Sequence, residues 1–154
     1  IVGEPGNGWQ QVTSELAYER SGPERFLSSF RVFVELVRIC GDSPSPHQAA
    51  AIGRIASHFM TLRRMSLSVA GMLEAGKDVS VEAALVKELG NNFEKLLPEI
   101  ARLVVPDLSA VDPDKQRLFR ETFEETLMLS PSFTLRGGTR EIMRGVIARG
   151  LGLR

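Results

Sequence analysis

His47-Gln-Ala-Ala-Ala-Ile-Gly-Arg-Ile-Ala-Ser-His-Phe-Met-Thr-Leu-Arg-Arg-Met-Ser-Leu-Ser-Val-Ala-Gly-Met-Leu-Glu-Ala75 is the stretch that decides the fold. Ile52, Ile55, Phe59, Leu62, Val69 and Leu73 recur at steps of three and four, with Ser66 as the one break in the series. That is the period of one face of an α-helix, not the alternation of a strand. Gly76 follows, where glycine commonly closes a helix because it adopts the left-handed conformation at little cost. A long amphipathic helix from about His47 to Ala75 is the expectation.

The same period extends in both directions. Downstream, a helix is expected from Ser80 as N-cap, carrying Leu85, Leu89, Phe93, Leu96, Ile100 and Leu103, bent at Pro98 and ended by Pro106. Another runs from about Asp112 to Leu129. A last one starts near Thr139 and carries Ile142, Val146, Ile147 and Leu151. Upstream, Gly41-Asp-Ser-Pro-Ser-Pro46 is a loop, preceded by a helix from Glu24 to about Ile39. Gly22-Pro23 separates that helix from an earlier one, Trp9 to about Arg20, with Trp9, Val12, Leu16 and Glu19 at helical steps. The opening Ile1-Val-Gly-Glu-Pro-Gly-Asn-Gly8 reads as a strand end and a tight turn. No later segment alternates, and no repeat is visible. The fold class is all-α, an antiparallel helical bundle of four main helices plus a closing one, with the apolar stripes as its core.

The bulk numbers fit that reading. The chain has 154 residues, one domain's worth, and 43% of them are hydrophobic. Lysine plus arginine and aspartate plus glutamate stand at 19 each, so no basic excess points to nucleic acid or a membrane surface. The one cysteine, Cys40, excludes an internal disulfide and a multi-cysteine metal centre. No apolar run approaches the roughly 20 residues of a membrane span. No signal peptide is seen, so a cytoplasm or organelle matrix is the default expectation. The first residue is Ile1, which suggests a chain that begins partway through a longer protein.

Three constellations could carry chemistry. Gly3-Glu-Pro-Gly-Asn-Gly8 lacks the spacing of a phosphate-binding loop and reads as a plain turn. Glu19-Arg20 stands just before the Gly22-Pro23 break and by residue type alone reads as a solvated pair. Arg136-Gly-Gly-Thr-Arg-Glu-Ile-Met-Arg144 places two glycines and a candidate N-cap, Thr139, ahead of a helix. Its open N–H groups and basic flank would suit phosphate or a carbonyl-like oxygen, or belong to an ordinary capped helix. His47 and His58 have no visible partners, and nothing resembles a metal site.

Together these pieces resemble the acyl-CoA dehydrogenase family. Val2-Gly-Glu-Pro-Gly-Asn-Gly-Trp9 looks like its passage from a middle β-domain into the C-terminal helical domain, and Leu16-Ala-Tyr-Glu-Arg20 like the first helix there. Gly137-Gly-Thr-Arg-Glu-Ile-Met-Arg-Gly-Val-Ile-Ala-Arg149 looks like the closing helix. The resemblance implies residues 1–8 as linker and 9–154 as the C-terminal helical bundle. It also implies FAD-dependent α,β-dehydrogenation of an acyl-CoA thioester, in fatty acid metabolism or a related route. Most of that family keep the catalytic glutamate where this chain has Gly137; a minority, isovaleryl- and long-chain-like, keep it on the first helix, where this chain has Glu19. The two differences are complementary, so Glu19 is the expected base. By the same resemblance the Gly137 N–H would meet the thioester oxygen, and Arg20 and Gly138 the substrate. Thr139, Arg140 and Glu141 would meet FAD.

Electron-transfer flavoprotein is the implied acceptor and a homo- or hetero-oligomer the implied assembly, with no nucleic acid or membrane partner. Two family motifs are missing: an Arg-x-x-Phe-Gly motif, where Cys40-Gly-Asp-Ser-Pro-Ser-Pro46 stands, and a Gly-Gly-x-Gly segment, where Leu103-Val-Val-Pro-Asp-Leu-Ser109 stands. Their loss opens an alternative, a flavin-deficient assembly subunit or helical interaction module of a mixed complex. Under either reading the chain by itself is expected to be inactive.

Overall fold

A computed structural model describes residues 3–153. The reading of Ile1 and Val2 as a strand end lies outside those residues. The turn after it is present, with Gly3 and Gly6 at positive φ. Seven α-helices follow among the described residues, and no strand: α1 Gly8–Ser21, α2 Glu24–Leu27, α3 Phe30–Cys40, α4 Pro46–Glu74, α5 Ser80–Val104, α6 Pro113–Phe133 and α7 Arg140–Gly150. A 3₁₀ turn, Leu108–Ala110, lies between α5 and α6. The all-helical bundle expected from the sequence is what the chain forms.

Local chemistry sets the ends. Ser45 and Gln48 form a reciprocal capping box at the start of α4, and Asp112 accepts from the N–H groups of Asp114 and Lys115 to start α6. Gly76, at φ +70, lets the Lys77 N–H fold back onto Met72 O and close α4. Ser80 is the first helical residue of α5, not its cap; Asp78 accepts from both its N–H and its hydroxyl. The helix expected from Glu24 to Ile39 is two helices, broken at Ser28-Ser29, where the Ser28 hydroxyl donates to Glu24 O. Pro98 lies within α5, and α6 runs on past Leu129 to Phe133.

α4 and α5 form the spine. The Gln48 amide in the first turn of α4 donates to Val104 O at the end of α5, at 3.0 Å, so the two run antiparallel. Ser66, the break in the α4 stripe, ties α4 to the end of α1: its hydroxyl donates to Ser21 O at 2.6 Å. The main core joins Phe26, Val32, Leu36, Ile55, Phe59, Leu62, Phe93, Leu97 and Phe119. Val69, Val79, Ala83 and Val86 form a smaller cluster towards the other end.

α5 packs against every other α-helix, and the face it buries is not the expected one. Of the predicted stripe only Phe93 is buried; Leu85, Leu89, Leu96 and Leu103 are exposed, Leu103 at 72%. The buried face carries Ala83, Val86, Lys87, Gly90, Asn91, Glu94, Leu97 and Ala101. Small residues on that face admit the neighbouring backbones; its Glu94 meets Arg136 of the loop before α7, and its Lys87 meets the carbonyl of that same residue. At the first helix too, Trp9 and Val12 are exposed, not core.

Gly90 marks the closest approach. A Cβ placed there would lie 2.8 Å from both Arg25 Cβ and Arg25 O on α2. Alanine is the better helix former by about 1 kcal/mol, so Gly90→Ala would stabilise an unpacked helix. Here it is expected to lose about 1–3 kcal/mol, as overfilled cores do. A denaturant midpoint that holds or rises would show that α2 is not seated on Gly90.

Candidate active site

The last turn of α1 carries Glu19 and Arg20, and the chain then reverses at Gly22-Pro23 so that α2 folds back beside it. This turn brings Arg25 to the end of α1. Its Nη2 donates to Glu19 O at 3.0 Å and to Glu19 Oε1 at 2.9 Å, with Glu24 Oε1 at 3.3 Å. A cation is well placed there, because the C-terminal carbonyls of a helix carry partial negative charge. Arg25 is completely buried, while the Glu19 side chain remains one-third exposed.

Glu19 Oε1 is thus held, and Oε2 is buried without a hydrogen-bond partner. That second oxygen faces Gly137. A Cβ placed on Gly137 would collide with Glu19 Oε2 and lie within 2.6 Å of Cδ and 2.7 Å of Oε1. The carboxylate occupies the space a side chain at 137 would need. Gly137 is also at φ +67 and Gly138 at φ +106, left-handed conformations that suit glycine. Arg20 Nε donates to Gly137 O at 3.1 Å and joins α1 to this loop; burial pulls the Arg20 guanidinium somewhat below its ordinary pKa, against the pull of Glu19.

The loop is fixed from below by α5. Lys87 Nζ, buried, donates to Arg136 O. The Arg136 guanidinium donates to Glu94 at 3.0 and 3.2 Å and to Ser28 Oγ at 3.0 Å, and it lies 4.7 Å over the Phe133 ring. Burial, then the nearby Arg25, push Lys87 down to about 8, although Glu19 opposes this. Burial pushes Glu94 up to about 7 even though Arg136 pulls the other way. At the start of α7, Glu88 binds Arg140 at 3.1 Å and Arg144 at 3.1 Å. Its desolvation is outweighed by those two arginines, which hold its carboxyl below the usual range.

The structure therefore brings Glu19, Arg20, Gly137 and Gly138 together, from opposite ends of the chain. Thr139 takes the N-cap position of α7 without a capping bond from its side chain. Arg140 is turned onto Glu88, and Glu141 is exposed, with its own N–H and then the Thr139 hydroxyl holding its carboxyl low. Arg25, Lys87 and Glu94 escaped the sequence reading. For two of them a signal was present: Lys87 and Glu94 stand with Asn91 at steps of four and three on one helix, a polar seam; Arg25 had none. His58 stacks on Phe93 at 5.1 Å, burial pushes the Cys40 thiol up, and no cluster of metal-ligating side chains exists among the described residues. No described helix is long and apolar enough to cross a membrane.

Comparison with known proteins gives one relative. The chain is 26% identical to acyl-CoA dehydrogenase IpdE1 of Mycolicibacterium smegmatis over 159 aligned positions, taking in 99% of this chain and 38% of that protein. The chain thus spans well under half of that relative's length. No family model and no solved structure matches it.

Two outcomes follow from this geometry. Gly137→Ala is expected to destabilise by more than the roughly 1–2 kcal/mol of a left-handed alanine, and the excess should vanish in a Glu19→Ala background. Equal penalties in both backgrounds would show that Glu19 does not fill the space. The second outcome concerns Glu94, whose carboxyl titrates at about 7 when folded against 4.5 ordinarily. The folded state then holds the extra proton between those values, so this group's contribution falls as pH rises from about 4.5 to about 7 and is level above. Measured against Glu94→Gln, which cannot ionise, the parent's unfolding free energy is expected to fall across that window; a pH-independent difference would refute the assignment.

Proposed function

We propose that this chain is the C-terminal helical domain of an FAD-dependent acyl-CoA dehydrogenase, with Glu19 as the base that removes the α-proton of an acyl-CoA thioester. The observation that carries the reading is the asymmetric carboxylate. Oε1 is anchored by a buried arginine, and Oε2 is unpartnered and faces the side-chain-free Gly137. A general base needs such an arrangement, one oxygen fixed and the other able to accept a proton. The similarity to a protein named acyl-CoA dehydrogenase, across almost all of this chain, supports it.

In this mechanism the α C–H bond breaks with its proton passing to Glu19 Oε2, and negative charge grows on the thioester oxygen. The Gly137 N–H stabilises that charge. The role needs no side chain, which is why glycine is tolerated there. The carbon–carbon double bond forms as the β-hydrogen departs with its electron pair. Arg20 and Gly138 line the substrate side. FAD would be held at the N-terminal turn of α7, where the Thr139 hydroxyl and the Arg140 guanidinium would donate to it and the Glu141 carboxylate would accept from it. When bound, FAD supplies the hydride acceptor, and electron-transfer flavoprotein would reoxidise it. The remaining walls of the site would come from the rest of a longer chain or from a neighbouring subunit.

One observation favours the second reading, an assembly subunit without its own flavin: the leucines Leu85, Leu89, Leu96 and Leu103 line the outside of α5. Glu19→Gln in the complete protein separates the two. Under the enzyme reading turnover is expected to fall by about 10²–10⁴-fold, with the visible flavin spectrum retained. Unchanged turnover would remove Glu19 from the chemistry, and a complete protein that binds no flavin would favour the assembly subunit.

A further inference from the structure

Lys87 is the least expected residue in the core, a lysine at 0% exposure in the middle of the helix that touches all the others. Nothing about packing requires an ammonium there; a methionine fills similar space without desolvating a charge. What it touches is specific. Its Nζ donates to Arg136 O, and that carbonyl belongs to the same peptide group as the Gly137 N–H.

In a planar trans peptide the C=O and N–H vectors are antiparallel. Fixing one fixes the other. The Arg136–Gly137 peptide precedes two glycines at positive φ, a place where the backbone has more freedom than anywhere else in the loop. A buried donor on the carbonyl removes that freedom and aims the N–H away from α5. A cationic donor does more, because it polarises the amide and makes the N–H on the far side a stronger donor in turn. Arg20 Nε does the same to the next peptide by donating to Gly137 O at 3.1 Å, which orients the Gly138 N–H.

Resting on the reading that Glu19 is the base, we propose that Lys87 is a positioning residue for the reaction: its ammonium, bound to the Arg136 carbonyl, orients and polarises the Gly137 N–H as donor to the thioester oxygen. The same peptide group thereby couples α5 to the charge that develops when Glu19 takes the proton. The groups facing Lys87 are Arg25 of α2, Glu19 of α1, Arg136 of the loop and Glu94 of α5 itself. The pressure of this surrounding, which brings Lys87 down to about 8, makes its charge removable under mild conditions.

The test uses the complete, flavin-loaded protein and a panel of 3-thiaacyl-CoA thioesters, which can lose an α-proton but carry sulfur in place of the β-carbon. Ionisation of the bound thioester is followed by absorbance against pH in the parent, Lys87→Met and Lys87→Arg. With a true substrate, Lys87→Met is expected to lower kcat about tenfold or more with KM within about twofold, less than the 10²–10³ of deleting a donor outright. It should raise the pH at which the bound thioester ionises by about one unit, the same factor of ten, and Lys87→Arg should restore most of both. If Lys87→Met ionises the thioester as the parent does, the proposal is overturned. Should Lys87→Met fail to fold, parent and Lys87→Arg are compared above pH 8. The parent should lose enolate as its lysine discharges while the arginine variant holds it, and superimposable profiles would overturn the proposal. A parent that ionises no thioester in the panel would instead sink the dehydrogenase reading itself.

Discussion

Arg25 meets the last turn of α1 at one end and the flat surface of Gly90 at the other, and the arrangement works only because both contacts are satisfied at once. Its guanidinium reaches Glu19 because the Gly22-Pro23 reversal folds α2 back along α1. Its backbone reaches α5 because Gly90 has no side chain to hold it off. A single buried residue thus fixes the spacing of α1, α2 and α5, and α5 in turn is packed by every remaining α-helix. The short α2 has too few residues to be stable by itself; it is held as the bracket that carries this arginine.

Burying charge is costly, and the chain buries several. Arg25, Lys87 and Glu94 are all at 0% exposure. An isolated buried charge would be prohibitive, while a pair or network with good geometry approaches balance without greatly stabilising the fold. The opposite displacements of Lys87 and Glu94 show that residual strain: lost hydration pushes each towards its neutral form, Arg25 pushes Lys87 further the same way, and the opposite charges nearby pull each back only in part. An apolar seam would hold the helices together at least as well. The charged one holds something an apolar seam could not, the carbonyl of Arg136 and the carboxylate of Glu19, in defined orientations beside the glycine pair.

The helices were legible because their pattern is local. The three-and-four spacing of α4, the glycine at 76 and the loop at 41–46 are read directly from neighbouring residues. The rotation of α5 was not legible, because leucine spacing alone favours the wrong face. Leu85, Leu89 and Leu96 make a respectable stripe, and only partners distant in sequence, Arg25 and Arg136, turn the Lys87–Asn91–Glu94 seam inward. The break at Ser28-Ser29 was hidden for a similar reason, since the residues around it would all continue a helix. At the site, Glu19 and Gly137 stood out from the resemblance, and the structure brings them together. The residues that hold them did not stand out, since nothing local distinguishes a buried arginine from a solvated one.

That pairing carries a constraint of its own. Between the last turn of α1 and the loop before α7 there is room for one carboxylate. Glu19 fills it from the α1 side so completely that even one added carbon at Gly137 would overlap it. A glutamate at both positions could not be accommodated, and a small residue at both would leave the buried Arg25 with Glu24, at 3.3 Å, as its remaining carboxylate partner. The two positions are therefore coupled by volume and by charge together. Moving the carboxylate from one element to the other would be a change of direction into the same space. For this chain the coupling makes the glycine part of the site in its own right: it is the shape into which the carboxylate of Glu19 fits.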